Sequence, residues 1–311
     1  MDKKELIKIA QMYYEQDMTQ SQIAKELGIY RTTISRMLKA AREIGIVTIT
    51  INYDDAETYS LEEKLKNKFS LQDVVVVPSS PDQPEHVKLK AMGQACAKIL
   101  DKHVTDGDIV GFSWGSSLAA VVRELKEKDL KNVTCVPMVG GPSGKLESKY
   151  HVNTICYQAA QKWHAESLMI DVPAIVEKKE TKNDILVSNY FRDIATLWEQ
   201  MTVSIFGIGS AAITGRMTWA AFYGDEMNEE LKQGKVVGDI CSRFFDVDGV
   251  QVQTSISERT ITIPLETIKK TRLRIGVAES KEKMDGILGA LNGGYMNVLV
   301  TTEETARLLL E

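Results

Sequence analysis

QSQIAKELGIYRTTISRMLKAAR, residues 20–42, reads as two short helices joined by a tight turn. Ile23, Ala24, Ile34, Met37 and Leu38 recur at the spacings that turn them inward on two helices crossing steeply, and Ala24 is small enough to let the second helix approach. Gly28 follows four residues after Ala24, where the first helix must end. The positive φ needed there costs a side-chain-bearing residue roughly 1 kcal/mol or more. The outward positions are rich in donors: Gln20 on the first helix, then Tyr30, Arg31, Thr32, Thr33, Ser35, Arg36 and Lys39 on or beside the second. In a helix-turn-helix that second helix enters the major groove. Arg31 and Arg36 can each bridge two acceptors of a guanine edge or clamp a phosphate, while Thr32, Thr33 and Ser35 reach phosphates, base edges or thymine methyls.

A basic outer face is usually just a solvated one, so the distribution of charge decides. Residues 20–42 hold five cations (Lys25, Arg31, Arg36, Lys39, Arg42) against one acid (Glu26), a net of +4, whereas the whole chain carries −5. That local excess is the electrostatic footprint of a DNA-facing patch, and double-stranded operator DNA is the expected partner.

The chain has 311 residues, more than one ordinary core holds, and the helix-turn-helix needs only about 50. A larger second domain is therefore expected. No apolar run approaches the roughly 20 residues of a membrane helix, and the acidic start MDKKELIKIAQ has no signal-peptide core. Cys96, Cys135, Cys156 and Cys241 are scattered with no CxxC pair, which fits inert thiols in a reducing cytoplasm. The four histidines show no metal-ligand spacing; no metal, no cofactor and no catalytic residue is expected.

Outward from the decisive stretch, residues 4–16 form a supporting helix with Leu6, Ile9, Ala10 and Tyr13 on one face. Residues 47–51 alternate with period two and read as a wing strand. The acids Asp54, Asp55 and Glu57 mark a boundary, giving a winged helix-turn-helix over 1–54 and an effector and oligomerisation domain over 55–311. A connecting helix starts at Ser60, with Ser60 and Glu63 in capping-box spacing and Leu61, Leu65, Phe69 and Leu71 inward. The run Val74–Val77, a helix over 86–102 and the strand 108–112 have the strand-helix-strand rhythm of a parallel sheet, so the larger domain is α/β.

In DIVGFSWGSSLAAVVREL a strand runs through Gly111, Ser113, Trp114, Gly115, Ser116 and Ser117 directly into a helix. Glycines admit a ligand to the backbone, hydroxyls donate, and the unpaired amides of a helix start favour an anion. Ordinary strand-to-helix turns also contain Gly and Ser, and neither P-loop nor dinucleotide spacing is present. Two more strands end in glycines, at Gly140 and Gly141 and at Gly207, Gly209 and Ser210, and such ends line the ligand crevice of an open parallel sheet. Trp114 beside polar groups suits the C–H face of a sugar; a core position is its other reading.

Together the helix-turn-helix, GFSWGSS, VGGPSG, HVNTICYQAA, DVPAIVE, GIGS, VVGDICSRFFDVDG, RTITIPLE and the C-terminal VAESKEKMDGILGALNGGYMNVLVTTEETARLLL resemble the SorC family of bacterial transcriptional regulators, the DeoR-like sugar-binding regulators. The resemblance covers nearly the whole chain. It implies a winged helix-turn-helix joined to a parallel-sheet domain with the fold of sugar-phosphate isomerases and glucosamine-phosphate deaminases, which binds a phosphorylated sugar without catalysis. It also implies effector-binding roles for Gly111, Ser113, Trp114, Gly115, Ser116, Gly140, Gly141, Asp239 and Lys283; Gly209, from its glycine-rich strand end, is a further effector-binding candidate. Lys283, opening a helix after the strand 274–278, would neutralise a phosphate, and Asp239, after a strand over 235–238, would accept sugar hydroxyls; surface ion pairing is the alternative for both. Arg243 is a further cation, or pairs with Asp246 or Asp248.

The family's AGG turn before the lysine reads Ala278, Glu279, Ser280 here. Glu279 either faces solvent, accepts a hydroxyl, or signals a less charged effector. Within GGPSGKLESKYH, residues 142–151 form a polar loop able to close over the ligand, with Lys145 and Lys149 as weak cationic candidates.

The expected function is a sugar-phosphate-responsive repressor of a carbohydrate-use operon, acting as a homo-oligomer, dimer or tetramer, because a helix-turn-helix needs two half-sites. The alternative is a sugar-phosphate isomerase or deaminase carrying a DNA-binding arm. A constitutive architectural DNA binder would leave the pocket unexplained.

Overall fold

The computed structural model describes residues 3–47, 53–80, 82–142, 147–210 and 230–311. The chain divides into two compact units between Ala56 and Glu57. In the N-terminal unit, α1 (Lys3–Tyr14), α2 (Gln20–Leu27) and α3 (Arg31–Glu43) enclose a small core of Leu6, Ile9, Met12, Ile23, Ile34, Met37, Leu38 and Ala41. Met12 is fully buried there and Tyr13 only partly, so the inner face of α1 is rotated slightly from the expected one. The chain turns out of α1 at Asp17, whose φ is +53°. Thr19 caps α2 through its hydroxyl, and Gln22 reaches back to the Thr19 amide at 2.8 Å, a complete capping box. Gly28 ends α2 with φ +65° in the left-handed region. The wing strand expected over 47–51 lies, apart from Val47, outside the described residues.

α4 (Tyr53–Phe69) begins well before Ser60. Ser60 is thus internal, no capping box forms with Glu63, and Glu63 instead pairs with Lys66 at 3.4 Å. Leu61 and Leu65 are buried as expected.

The C-terminal unit is built on a seven-stranded, wholly parallel sheet. Its strands are β1 (Asp73–Val77), β2 (Ile109–Phe112), β3 (Thr134–Pro137), β4 (Glu166–Ser167), β5 (Val203–Gly207), β9 (Leu273–Val277) and β10 (Val298–Thr302), in the spatial order β1-β10-β9-β5-β2-β3-β4. Their apolar runs are buried by helices, among them α5 (Glu85–His103), α6 (Ser116–Glu124), α7 (Val152–Trp163), α8 (Lys179–Val187) and α9 (Asn189–Gln200). A second, antiparallel sheet joins β6 (Gly209–Ser210), β7 (Gly238–Ile240) and β8 (Arg243–Phe245). The strand expected over 235–238 therefore starts at Gly238 and contains Asp239. Lys235, with φ +52°, is still in the preceding turn. Three further helices, α10 (Leu265–Lys270), α11 (Met284–Asn292) and α12 (Glu303–Leu310), complete the unit.

From β2 the chain moves outward to β3 and β4; from β5 it moves the other way, to β9 and β10. Neighbouring β2 and β5 thus form the topological switch point, beyond whose carboxyl ends an open α/β sheet offers its crevice.

Candidate functional site

In the N-terminal unit, helix α3 buries Ile34, Met37 and Leu38 and turns its polar residues outward. Tyr30 is 83% exposed, Arg31, Thr32, Ser35, Arg36 and Lys39 are exposed, and Thr33 and Gln20 are half-buried. Arg31 and Arg36 form no ion pair with any described residue, and Lys39 lies 3.8 Å from Glu43 on the surface. Tyr30 is the N-cap residue but contributes no side-chain cap. The result is a cationic helix face held by a separate apolar core, as groove binding requires.

In the C-terminal unit the switch point is closed by Ser113. Its amide donates to Ile205 O at 3.1 Å, and its hydroxyl accepts the Gly207 amide at 3.3 Å. Ser113 is buried, so its hydroxyl ties β2 to β5 and is not presented to a ligand. Gly111 is also a packing residue, because a Cβ there would sit 2.1 Å from Met201 Sδ. The open position in this turn is Gly115. It has φ +114° with open space where a Cβ would be, and its amide donates to Tyr150 O at 3.1 Å. Beyond it, Ser116 and Ser117 open α6 with no side-chain cap from the N-cap residue, leaving first-turn amides that favour an anion. Trp114 is half-buried and packs against the core, closer to its core reading than to an open stacking platform.

The glycine pair is likewise structural. Gly140 donates to Ile261 O and Gly141 to Val172 O, and a Cβ on Gly140 would lie 2.6 Å from Pro173 O. These glycines let three segments cross; neither amide is left for a ligand. A Cβ on Gly141 would stand 3.0 Å from His151 Nε2. His151, a residue the sequence did not single out, caps α7 by accepting the Asn153 amide on Nδ1, and burial lowers its pKa. Of the loop over 142–151, Lys145 lies outside the described residues, and Lys149 is exposed and paired with Glu147 at 2.6 Å.

Asp239, in β7, sits directly across the ladder from Gly209. It is buried, and its Oδ2 accepts the Ser242 amide at 2.7 Å. Burial pushes its pKa up to about 7, with the Ser242 hydrogen bond and the charge of Lys283 pulling the other way. Lys283 ends a 3-10 turn, Lys281–Lys283, and caps α11. It makes no ion pair within 4.0 Å among the described residues. Burial lowers its pKa, against the pull of Glu279, Asp239, Glu85 and Glu282. Lys283 and Asp239 thus sense each other without closing an ion pair, unlike the surface pairs considered for them.

Glu279 is half-buried, and burial raises its pKa, opposed by the charges of Lys88 and Lys283 and reinforced by those of Glu85 and Glu304. Ser280 has φ +105° and ψ 151°, a conformation normally reserved for glycine, while its amide donates to Thr305 Oγ1 at 3.1 Å. Lys88, missed from the sequence, is buried in the first turns of α5 and paired with Glu304 at 3.2 Å. Arg243 pairs with neither Asp246 nor Asp248: its guanidinium donates to Ser257 O and Thr262 O, and Asp246 instead accepts the amides of Asp248 and Val250.

Among the described residues no cluster of acids, histidines or cysteines could hold a metal, the four cysteines are buried and free, and no helix is long and apolar enough to cross a membrane.

Residues 54–311 match the family model described as "Putative sugar-binding domain". The chain is 51% identical over 307 residues to the sorbitol operon regulator of Klebsiella pneumoniae, covering 98% of this chain and 97% of that protein. It is 30% identical to the deoxyribonucleoside regulator of Bacillus subtilis (strain 168), over 98% of this chain and 96% of the relative. The crystal structure of the full-length Klebsiella pneumoniae regulator superposes with a TM-score of 0.79 at 50% identity, over 99% of both chains. With matches that span both units, the chain belongs to the SorC family of transcriptional regulators and is a regulator, not an enzyme.

Proposed function

We propose that this regulator is a repressor of a carbohydrate-use operon whose hold on operator DNA is set by a phosphorylated sugar or polyol. The observation that carries this reading is buried Asp239 with half-buried Lys283 near it: an acceptor for hydroxyls and a cation for a phosphate, kept apart by more than an ion-pair distance. The uncapped start of α6, with Gly115 open in front of it, adds amides for the phosphate. Glu279 limits how much negative charge the cleft accepts, and Lys88 offsets it. Among the residues expected to bind, Gly115, Ser116, Gly209, Asp239 and Lys283 remain in direct roles, while Gly111, Ser113, Gly140 and Gly141 shape the walls. The Klebsiella pneumoniae relative is named for a sorbitol operon, which directs the search toward phosphorylated hexoses and hexitols.

Arg31, Arg36, Lys39, Tyr30, Gln20, Thr32, Thr33 and Ser35 form the DNA-reading face, and two copies are needed to read two half-sites. A second copy has apolar surface to cover in Met169, Val187 and Tyr190, where the Tyr190 hydroxyl accepts the Asp171 amide at 2.6 Å. The effector binds one arrangement of the assembly better than another and so shifts operator affinity.

The test is to melt the protein against a panel of phosphorylated sugars and repeat operator binding by fluorescence anisotropy with each stabilising compound. One compound should raise the melting temperature and change operator affinity. Stabilisation without any change in operator affinity would sink the regulatory link.

A further inference from the structure

Cys241 and Ser242 form a two-residue hairpin turn between β7 and β8, with φ of +52° and +61°. Both central residues in the left-handed region make a type I′ turn, which matches the twist of the strands but strains residues other than glycine. In the ladder Asp239 pairs with Phe244 and Ile240 with Arg243. Side chains alternate along a strand and directly opposed residues share a face, so Asp239 and Arg243 point to opposite sides of one small sheet. Asp239 faces the cleft already described; Arg243 faces somewhere else.

That second face carries a recess of about 360 Å³, lined by Lys179, Lys182, Arg243, Gln251, Gln253 and Glu258. This size falls in the roughly 300–1,000 Å³ range of small-molecule pockets. Its charges do not balance. Glu258 is taken by Lys179 at 2.9 Å, while Arg243 and Lys182 have no carboxylate within 4.0 Å among the described residues. Arg243 donates only to the carbonyls of Ser257 and Thr262, and its Nε is buried without a partner. Lys182, half-buried in α8, has its pKa lowered by burial first and then by the charges of Arg243 and Lys179. A half-buried guanidinium with its Nε buried and unpartnered and no counter-charge, beside a second cation, is unfavourable for folding and is explained by an anion that joins them. The two glutamines add amides able to meet hydroxyls or further oxygens of such a ligand.

We infer that this recess is a second ligand site, taking a small doubly charged oxyanion, a phosphate group either free or on a small metabolite, on the face of the β7–β8 hairpin opposite Asp239. Arg243 and Lys182 clamp the oxyanion, and the hairpin links it to the cleft around Lys283. A concave recess of half-buried cations suits a small molecule better than the backbone of a duplex.

The experiment is calorimetric titration of the full-length protein with inorganic phosphate at constant ionic strength, in wild type and in Lys283→Ala. With the Lys283 cleft weakened, phosphate should still bind. Adding Lys182→Gln should weaken that binding by about tenfold, the loss expected from one charge-assisted contact. Lys182→Gln should leave the ligand-free melting temperature equal or higher, because it removes repulsion from Arg243 and Lys179; a clear drop would make Lys182 structural and overturn the assignment. Complete loss of phosphate binding in Lys283→Ala, or binding in that background unmoved by both Lys182→Gln and Arg243→Lys, would also overturn it. So would displacement of phosphate from the recess by a DNA duplex. Titration with glucose 6-phosphate separates the sources: tighter binding than phosphate assigns a metabolite, equal binding assigns the free ion, and both support the site. Failure of the Asp239–Lys283 reading would show in the sugar-phosphate melting panel and leave this result standing.

Discussion

Replacing Ser280 by glycine should stabilise the protein, although it removes a side chain near the cleft. Ser280 holds φ +105° and ψ 151°, a region open to glycine and costing other residues about 1–3 kcal/mol. Glycine relieves that strain but loses more chain entropy on folding, roughly 0.5–1 kcal/mol. The hydrogen bond from the residue 280 amide to Thr305 Oγ1 survives, because it needs no side chain. The net gain is about 0.5–2 kcal/mol, which for a unit of this size raises the melting temperature by a few degrees at roughly 2–4 °C per kcal/mol. Scanning fluorimetry and urea unfolding of wild type and Ser280→Gly measure it directly. Ser280→Ala serves as the control: it removes the hydroxyl but keeps the Cβ, so it should not stabilise. A lower melting temperature for Ser280→Gly, or equal gains for both variants, would refute the argument that backbone strain is stored before Lys283.

Asp239 has a folded pKa of about 7, above the roughly 3.9 of an unfolded aspartate, so the folded state holds a proton that the unfolded state releases. Ligand-free stability should therefore fall as pH rises from about 4 through about 7, by an amount on the order of 3–4 kcal/mol, and Asp239→Asn should flatten this slope in urea titrations at stepped pH. Asp108 behaves oppositely. Burial would raise its pKa, but hydrogen bonds from Thr105, Arg272 and Thr202 together with the Arg272 charge hold it below the usual value. Its stabilisation is present above the unfolded pKa and lost as pH falls through the depressed one. Asp108→Asn should cost about 2–3 kcal/mol at neutral pH, discounted for the half-exposed Arg272, and a loss below 0.5 kcal/mol in urea unfolding would count against the network. Gly140→Ala should cost about 1–3 kcal/mol or prevent folding, since its Cβ meets backbone and not a movable side chain; an unchanged urea midpoint would contradict that packing. Arg36→Ala should weaken operator binding and, if Arg36 meets a phosphate, reduce the salt slope by about one; unchanged affinity at matched salt removes it from the interface.

Elements with strong periodicity were legible from the sequence: α2, Gly28, α3, the valine strand and the alternation of strand and helix that made the larger unit parallel. What escaped was what the local pattern does not encode. Glycines at 111 and 140 resemble ligand-binding glycines in sequence, and only tertiary neighbours, Met201 and Pro173, reveal that they make room for packing. Ser113 was expected to present a hydroxyl, yet that hydroxyl accepts the Gly207 amide of a strand some ninety residues away. Ser60 fitted a capping box that α4 overrides by starting earlier, because residues before it continue the helix. Lys88 was invisible because its partner Glu304 and its neighbour Glu279 come from the far end of the chain. The position of Glu279 drew notice in the sequence as an odd carboxylate, and its placement near two lysines accounts for it.

Through its amide and its hydroxyl, Ser113 joins the turn before α6 to β5, the strand that leads through Gly209 to Asp239. In the proposed cleft, the amides that would meet the anion and the carboxylate side therefore belong to one hydrogen-bonded stretch of sheet. Adjustment to differently shaped ligands then falls to the turn at 278–280, which lies outside that connection. Changing what this regulator senses should be easier by rewriting that turn than by touching the floor, where Ser113→Ala removes the hydroxyl bond to Gly207 and leaves the amide bond to Ile205.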